Sequence, residues 1–171
     1  MSADVEFENL VKLYYRDLYR FGLSLTGNET DAADLTQETF YIWANKGHQL
    51  HKSASVKGWL FTTLHREFLK GCRRRNRFPS ESIDEQTQEL PSVPADCAQQ
   101  IDSRTLLRIL GEIAEDFRAP LVLYYMEDLS YKEIADVLAL PLGTVQSRIA
   151  RAKIQLLRRL SEPTLPLEKA K

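Results

Sequence analysis

The chain has 171 residues, 43% of them hydrophobic and 27% charged, with 23 Lys and Arg against 24 Asp and Glu. That composition excludes an intrinsically disordered chain and is enough for one sizeable core or two small ones. A formal net charge of -1 by itself points to neither nucleic acid nor membrane.

The first element in chain order is "FENLVKLYYRDLYRFGLSLTG". Phe7, Leu10, Val11, Tyr14, Leu18, Phe21 and Leu25 recur at steps of three and four, which predicts an amphipathic helix ending near Gly27. Asn28 or Thr30 can cap a second helix, "DAADLTQETFYIWANK", with Leu35, Thr39, Ile42 and Trp43 as its inward stripe and a glycine stop near Gly47. A polar loop, "GHQLHKSAS", follows. A third helix starts near Val56, buries Val56, Leu60, Leu64 and Phe68, and runs into arginines before Pro79. "PSESIDEQTQELPSVPADCAQQ" is rich in Pro, Ser, Gln and acids and reads as a flexible linker.

Helical periodicity then returns. Ile101, Leu106, Ile109, Leu110 and Ile113 mark one helix, and "DFRAPLVLYYMEDLS" marks another with Pro120 near its first turn. Ser130-x-x-Glu133 is a capping box opening a third, whose inner face is Ile134, Ala135 and Leu138. A short turn through Ala139 and Leu140 leads to "PLGTVQSRIARAK", which keeps Leu142, Val145, Ile149 and Ala152 inward and continues to about Leu160. No strand-like alternation occurs. The expected fold is all-α: a helical domain over 1–78, an acidic flexible linker over 79–100, a second helical domain over 101–160 and a tail over 161–171.

Charge is unevenly spread along this frame. Arg66, Lys70, Arg73, Arg74, Arg75 and Arg77 face a single acid, Glu67. Glu81 to Asp102 carries six acids and no Lys or Arg, and Arg148, Arg151, Lys153, Arg158 and Arg159 follow unopposed. On one helix Arg66, Lys70, Arg73 or Arg74, and Arg77 form a stripe able to follow a phosphate backbone. A solvated face with repeated like charges at i, i+4 would lose a few tenths of a kcal/mol per pair, roughly, with no structural return. The last two helices have the length and spacing of a helix-turn-helix. Thr144, Gln146, Ser147, Arg148 and Arg151 then face outward, a set suited to base edges and phosphates in a major groove. In an ordinary bundle, the same cations would only complement a helix C-terminus. Asp31, Asp34, Gln37, Glu38 and Tyr41 share an outward face of the second helix. Acids in a first turn complement the helix dipole, but Glu38 lies beyond that turn and repels Asp34, which leaves solvent and a basic protein partner both open.

Cys72 and Cys97 lack metal-ligand spacing, and the N-terminus has no signal-peptide pattern, so a reduced, cytoplasmic protein is expected. No apolar run reaches the roughly 20 residues of a membrane span, so no membrane insertion is expected. His48 and His51 have no further ligands nearby, and His65 stands alone; no metal or other cofactor is expected. No nucleophile-base pattern or phosphate loop emerges, so the reading is not an enzyme. Trp59 lies one position off its helix's inner stripe, which leaves core packing and base stacking both open.

"DAADLTQETFYIW", "SVKGWLFTTLHREFLKGCRRRNR" and "LSYKEIADVLALPLGTVQSRIARAK" resemble, in order and spacing, bacterial RNA polymerase sigma factors of the extracytoplasmic-function group, over about residues 6–160. The resemblance implies that the first domain binds core polymerase and melts the minus-10 element and that the second reads the minus-35 element. Asp31, Asp34, Gln37 and Glu38 would dock on the polymerase. The loop Gly47 to Ser55 and the helix after it, with Lys57 and Trp59, would capture the minus-10 strand, while Arg66, Lys70, Arg73, Arg74 and Arg77 would hold its backbone. Core RNA polymerase, promoter DNA and an anti-sigma protein are the implied partners. Departures are Ala33 at a position where many relatives have an acid, Ala139 at a usual turn glycine, and Gln146 at a position often basic. If the turn at Ala139 is left-handed, alanine costs roughly 1 to 2 kcal/mol there. The alternatives are a stand-alone helix-turn-helix regulator that binds DNA unaided, and a helical protein-interaction module. With its two DNA-contacting domains unfixed across the linker, the isolated chain is expected to bind promoter duplex weakly.

Overall fold

The computed structural model describes residues 3–49, 55–77 and 103–161. These form seven α-helices: α1 (Ala3–Thr26), α2 (Glu29–Lys46), α3 (Val56–Arg77), α4 (Ser103–Glu112), α5 (Glu115–Tyr125), α6 (Tyr131–Leu138) and α7 (Leu142–Ser161), with a short 3-10 turn over Gly47–Gln49. The linker, Cys97, His51 and residues 162–171 lie outside the described residues.

Local chemistry sets the helix ends. Gly27 takes φ 66 after α1, a left-handed stop that glycine adopts without steric cost. Asn28 then caps α2, its side chain accepting from the Asp31 amide at 3.0 Å. At the far end of α2, Gly47 is right-handed (φ -60), so it is not the left-handed stop expected. A Cβ at Gly47 would lie 2.6 Å from the Trp43 ring; glycine is needed there because the indole folds over the backbone.

Leu18, Phe21, Leu60, Phe61 and Leu64 are fully buried where α1 and α3 meet, and the Phe21 and Phe61 rings sit 5.5 Å apart. Each such side chain contributes about 1.5–3 kcal/mol through burial. The inward stripe of α2 keeps the expected Thr39 but is otherwise rotated: Ala32, Thr36 and Phe40 are buried with it, whereas Leu35, Ile42 and Trp43 are only half-buried. Threonines can face inward here because Thr36 and Thr39 donate to the Ala32 and Leu35 carbonyls, each at 2.7 Å, which satisfies their hydroxyls. In the second half Ile109, Leu110, Ile113, Leu121, Val122, Leu123, Ile134, Val137, Val145, Ile149 and Ala152 are buried. Leu142, expected inward, is 48% exposed, and Leu140 in the preceding turn packs on the core instead.

The two helical domains do not hang apart. α5 lies against α1, α6 packs on α3, and α4 touches α1, so the buried apolar side chains of both halves form one continuous cluster. The expectation of domains unfixed across the linker is therefore corrected: apolar faces of α1 and α3 left over after their own packing are covered by α5 and α6.

Candidate nucleic-acid interface

The helix-turn-helix is built from α6 and α7. The Ser130 hydroxyl accepts from the Glu133 amide at 3.2 Å and the Glu133 carboxylate accepts from the Ser130 amide at 2.8 Å, completing the capping box. The Ser130 amide, and the Ser130 hydroxyl also at 2.8 Å, donate to the Glu133 carboxylate and hold it below its ordinary value. The turn passes through Ala139 at φ 54, ψ 48, the left-handed conformation that alanine enters only at a cost of roughly 1 to 2 kcal/mol. The Pro141 carbonyl then accepts from the Thr144 and Val145 amides, which starts α7.

On α7, Gln146, Ser147 and Arg151 are exposed and Thr144 is half-buried. Arg148 differs from the other predicted readers. Its guanidinium donates to the Asp116 carboxylate at 3.3 Å and to the Asp116 carbonyl at 3.5 Å, and its side chain is 26% exposed. Pro120 lies in the second turn of α5, later than expected, and lacks the N–H that would have bonded the Asp116 carbonyl. Arg148 thus serves a carbonyl that Pro120 leaves open and ties α7 to α5.

On α3, Arg66, Lys70, Arg73, Arg74 and Arg77 are all exposed, with Lys70 Nζ 3.3 Å from Glu67. Arg75 leans the other way, 3.9 Å from Asp31. Between α2 and α3 is a groove of about 500 Å³ lined by Asp31, Asp34, Glu38 and Glu67 on its acidic side and by Arg74 and Arg75. Asp34, Gln37 and Glu38 are exposed, and Tyr41 continues their face at 66% exposure.

Lys57 and Trp59, near the start of α3, stand apart from that stripe. Trp59 is half-buried and meets Trp43 edge to face at 5.1 Å, the geometry aromatic quadrupoles favour. Lys57 Nζ donates to the Glu127 carbonyl at 2.7 Å. Residues 50–54 of the expected strand-capturing loop lie outside the described residues.

Sequence reasoning missed the polar contacts between the halves. Glu127, at the α5–α6 turn, has a side chain with no solvent exposure, and Arg20 of α1 grips it with Nε at 2.8 Å and Nη2 at 3.1 Å. Arg20 Nη2 also donates to the Met126 carbonyl at 2.9 Å. Burial pushes the Glu127 carboxyl up and Arg20 pulls it back. His65 is not a lone histidine: its Nε2 lies 3.2 Å from Glu115, whose carboxyl is lowered chiefly by that bond. Arg118 donates to the Leu110 carbonyl at 3.2 Å and the Leu25 carbonyl at 3.3 Å, and burial lowers its pKa. The partners that bridge the halves are 50 to 107 residues apart, so no local sequence signal could pair them.

Fold and surfaces define a two-domain helical protein with an exposed basic helix, a helix-turn-helix and an acidic face on α2. The family described as Sigma-70 region 2 matches residues 10–78, and that described as Sigma-70, region 4 matches residues 103–156. The chain is 38% identical over 159 residues to the ECF RNA polymerase sigma factor SigE of Mycolicibacterium smegmatis, covering 91% of this chain and 62% of that protein. It thus spans less than two thirds of that relative's length. It is 28% identical over 153 residues to the ECF RNA polymerase sigma factor SigM of Bacillus subtilis, covering 87% of this chain and 91% of the other. Among solved structures, the sigma factor RpoE in complex with the anti-sigma factor NepR from Bartonella quintana superposes with a TM-score of 0.80 and 26% identity, covering 92% of this chain and 98% of that one. The chain belongs to the sigma-70 family, in its extracytoplasmic-function group. No helix among the described residues is long and apolar enough to cross a membrane.

Proposed function

We propose that the chain binds core RNA polymerase and promoter DNA in the cytoplasm and directs initiation, without itself catalysing a reaction. The observation that carries this reading is one chain presenting an acidic α2 groove beside an exposed basic α3 stripe, followed by a helix-turn-helix with an exposed reading face. Asp31, Asp34, Gln37 and Glu38 dock on basic polymerase residues, and the weak exposed Arg75–Asp31 contact yields to them at little cost.

Arg66, Lys70, Arg73, Arg74 and Arg77 neutralise phosphates of the minus-10 strand, releasing counterions as they do so. Trp59, braced on Trp43, offers a ring edge near the bases unstacked there, and Lys57 adds a phosphate contact once its bond to Glu127 is broken. On α7, Gln146 and Arg151 read minus-35 base edges, Thr144 and Ser147 reach phosphate, and Arg148 chiefly sets the helix's pose. An anti-sigma protein, as seen bound to the Bartonella relative, is a further partner of this chain.

Transcription reconstituted from core polymerase, this chain and a promoter library tests the reading. Expected are start sites dependent on the chain and lost in an Arg73→Ala, Arg74→Ala, Arg77→Ala triple variant. Tight, sequence-specific duplex binding without polymerase would instead identify a stand-alone regulator. Promoter binding unaffected by both that triple variant and Arg151→Ala would identify a protein-interaction module.

A further inference from the structure

Leu142, at the start of α7, is an apolar side chain that the core leaves out. Val145, Ile149 and Ala152 of the same helix are buried, whereas Leu142 is 48% exposed, and Leu140 of the preceding turn packs on the core in its stead. Gly143, next in the chain, is exposed too. Its backbone is not left-handed, and a Cβ there would meet nothing within 4 Å. The fold therefore asks for neither residue. Glycine even weakens a helix relative to alanine, and an exposed leucine leaves apolar surface in water.

A DNA duplex supplies a reason for both. In a helix-turn-helix, the first residues of the second helix meet base edges. Leu142 can neither donate nor accept a hydrogen bond, and the apolar group that a base edge shows in the major groove is the thymine C5-methyl. Leu142 stands one turn before Gln146, at i, i+4, so the two side chains are neighbours on α7. Four residues rise about 6 Å along a helix, against about 3.4 Å per base pair, so the two reach pairs one or two steps apart. Gly143 presents no side chain beside Leu142, which lets a base edge come close to the backbone there.

We infer that Leu142 and Gly143 form an apolar notch at the head of α7 that receives the C5-methyl of a thymine in the minus-35 element. The inference rests on the proposed function and adds to it a reader of different chemistry. Gln146 and Arg151 recognise bases by hydrogen bonds; Leu142 recognises a methyl group by excluding water from it. It thereby separates thymine from bases whose major-groove edge lacks that methyl.

The test uses the full chain with core polymerase and a promoter that this complex selects from a random library. Each thymine of the minus-35 element is replaced in turn by deoxyuridine, which pairs alike and lacks only the methyl. With the wild-type chain, one such replacement is expected to weaken binding about three- to fivefold, the factor for burying one methyl-sized group. Leu142→Ala is expected to bind the thymine and deoxyuridine promoters equally, whereas Leu142→Met keeps the preference. Leu142→Gln, which keeps the length but not the apolar end, replaces the alanine variant if that one loses its helices by circular dichroism. Gly143→Ala is expected to melt no lower than the wild type and yet to bind the promoter roughly five- to tenfold more weakly. Leu157→Ala, 52% exposed toward the other end of α7, changes neither property. A wild-type chain indifferent to every deoxyuridine overturns the inference, and so does a preference that survives in a folded Leu142→Ala chain. Wild-type affinity in Gly143→Ala overturns the part given to the glycine. DNA selected by the chain without polymerase overturns the proposed function, while the same scan on that DNA still decides the inference; if no DNA is selected either way, both fall.

Discussion

The basic surfaces of α3 and α7 read alike as sequence and behave differently as structure. On α3, Arg66, Arg73, Arg74 and Arg77 point outward from a helix whose apolar side is anchored by Leu60, Phe61, Leu64 and Phe68. On α7, Arg148 is turned back to Asp116 and Arg159 to Glu112 at 2.6 Å, leaving Gln146, Ser147 and Arg151 exposed in the reading segment. A run of arginines thus means a phosphate track where the helix end projects beyond the core. Where the helix is packed along its length, part of the run becomes fastening.

The largest effect expected from that difference is on α3. Arg73→Ala, Arg74→Ala and Arg77→Ala together take up to three cations off the phosphate track. The plot of log affinity against log salt should flatten by about 0.7 to 0.9 for each phosphate no longer neutralised. A salt titration of the polymerase-promoter complex reads this, and an unchanged slope would break the comparison. Next is Arg151→Ala, for which discrimination at one minus-35 position should fall by about 1–3 kcal/mol while the melting temperature stays put; competition binding with single-base variants measures it.

Arg148→Ala should behave oppositely, lowering stability by about 0.5–1.5 kcal/mol as its bonds to Asp116 disappear and weakening promoters of different sequence alike. A loss confined to one base position would return Arg148 to the readers. Ala139→Gly relieves the left-handed strain but loosens the unfolded chain, for a net gain of about 0.5 kcal/mol, or roughly 1–2 °C in the melting temperature. The smallest effect concerns pH. Glu115 is held below the ordinary 4.5 mainly by His65, so its stabilisation is present above that value and fades as pH falls through the folded one. Glu115→Gln should therefore shallow the acid limb of stability measured by urea titration.

Most of the local architecture could be read from side-chain spacing because the forces involved act within a turn or two. Asn28, Gly27 and the Ser130–Glu133 box end or begin helices by bonding neighbouring amides. The helix-turn-helix followed from the same local chemistry, as did the outward faces of α2 and α3. The inward stripe of α2 followed only at Thr39; Thr36 becomes eligible for the core because it hides its hydroxyl on the Ala32 carbonyl of the preceding turn. The glycine at 47 did not follow, because its requirement comes from an indole folded over it.

What the amino-acid order determined unaided is the set of helices, most of their ends, the split into two helical domains and the family to which those motifs belong. What only the tertiary structure decided is which charges are spent inside the molecule. Arg20 meets Glu127 across 107 residues and Arg148 meets Asp116 across 32. Such pairs depend on how whole helices dock, and docking is chosen by the fit of apolar faces rather than by any local pattern.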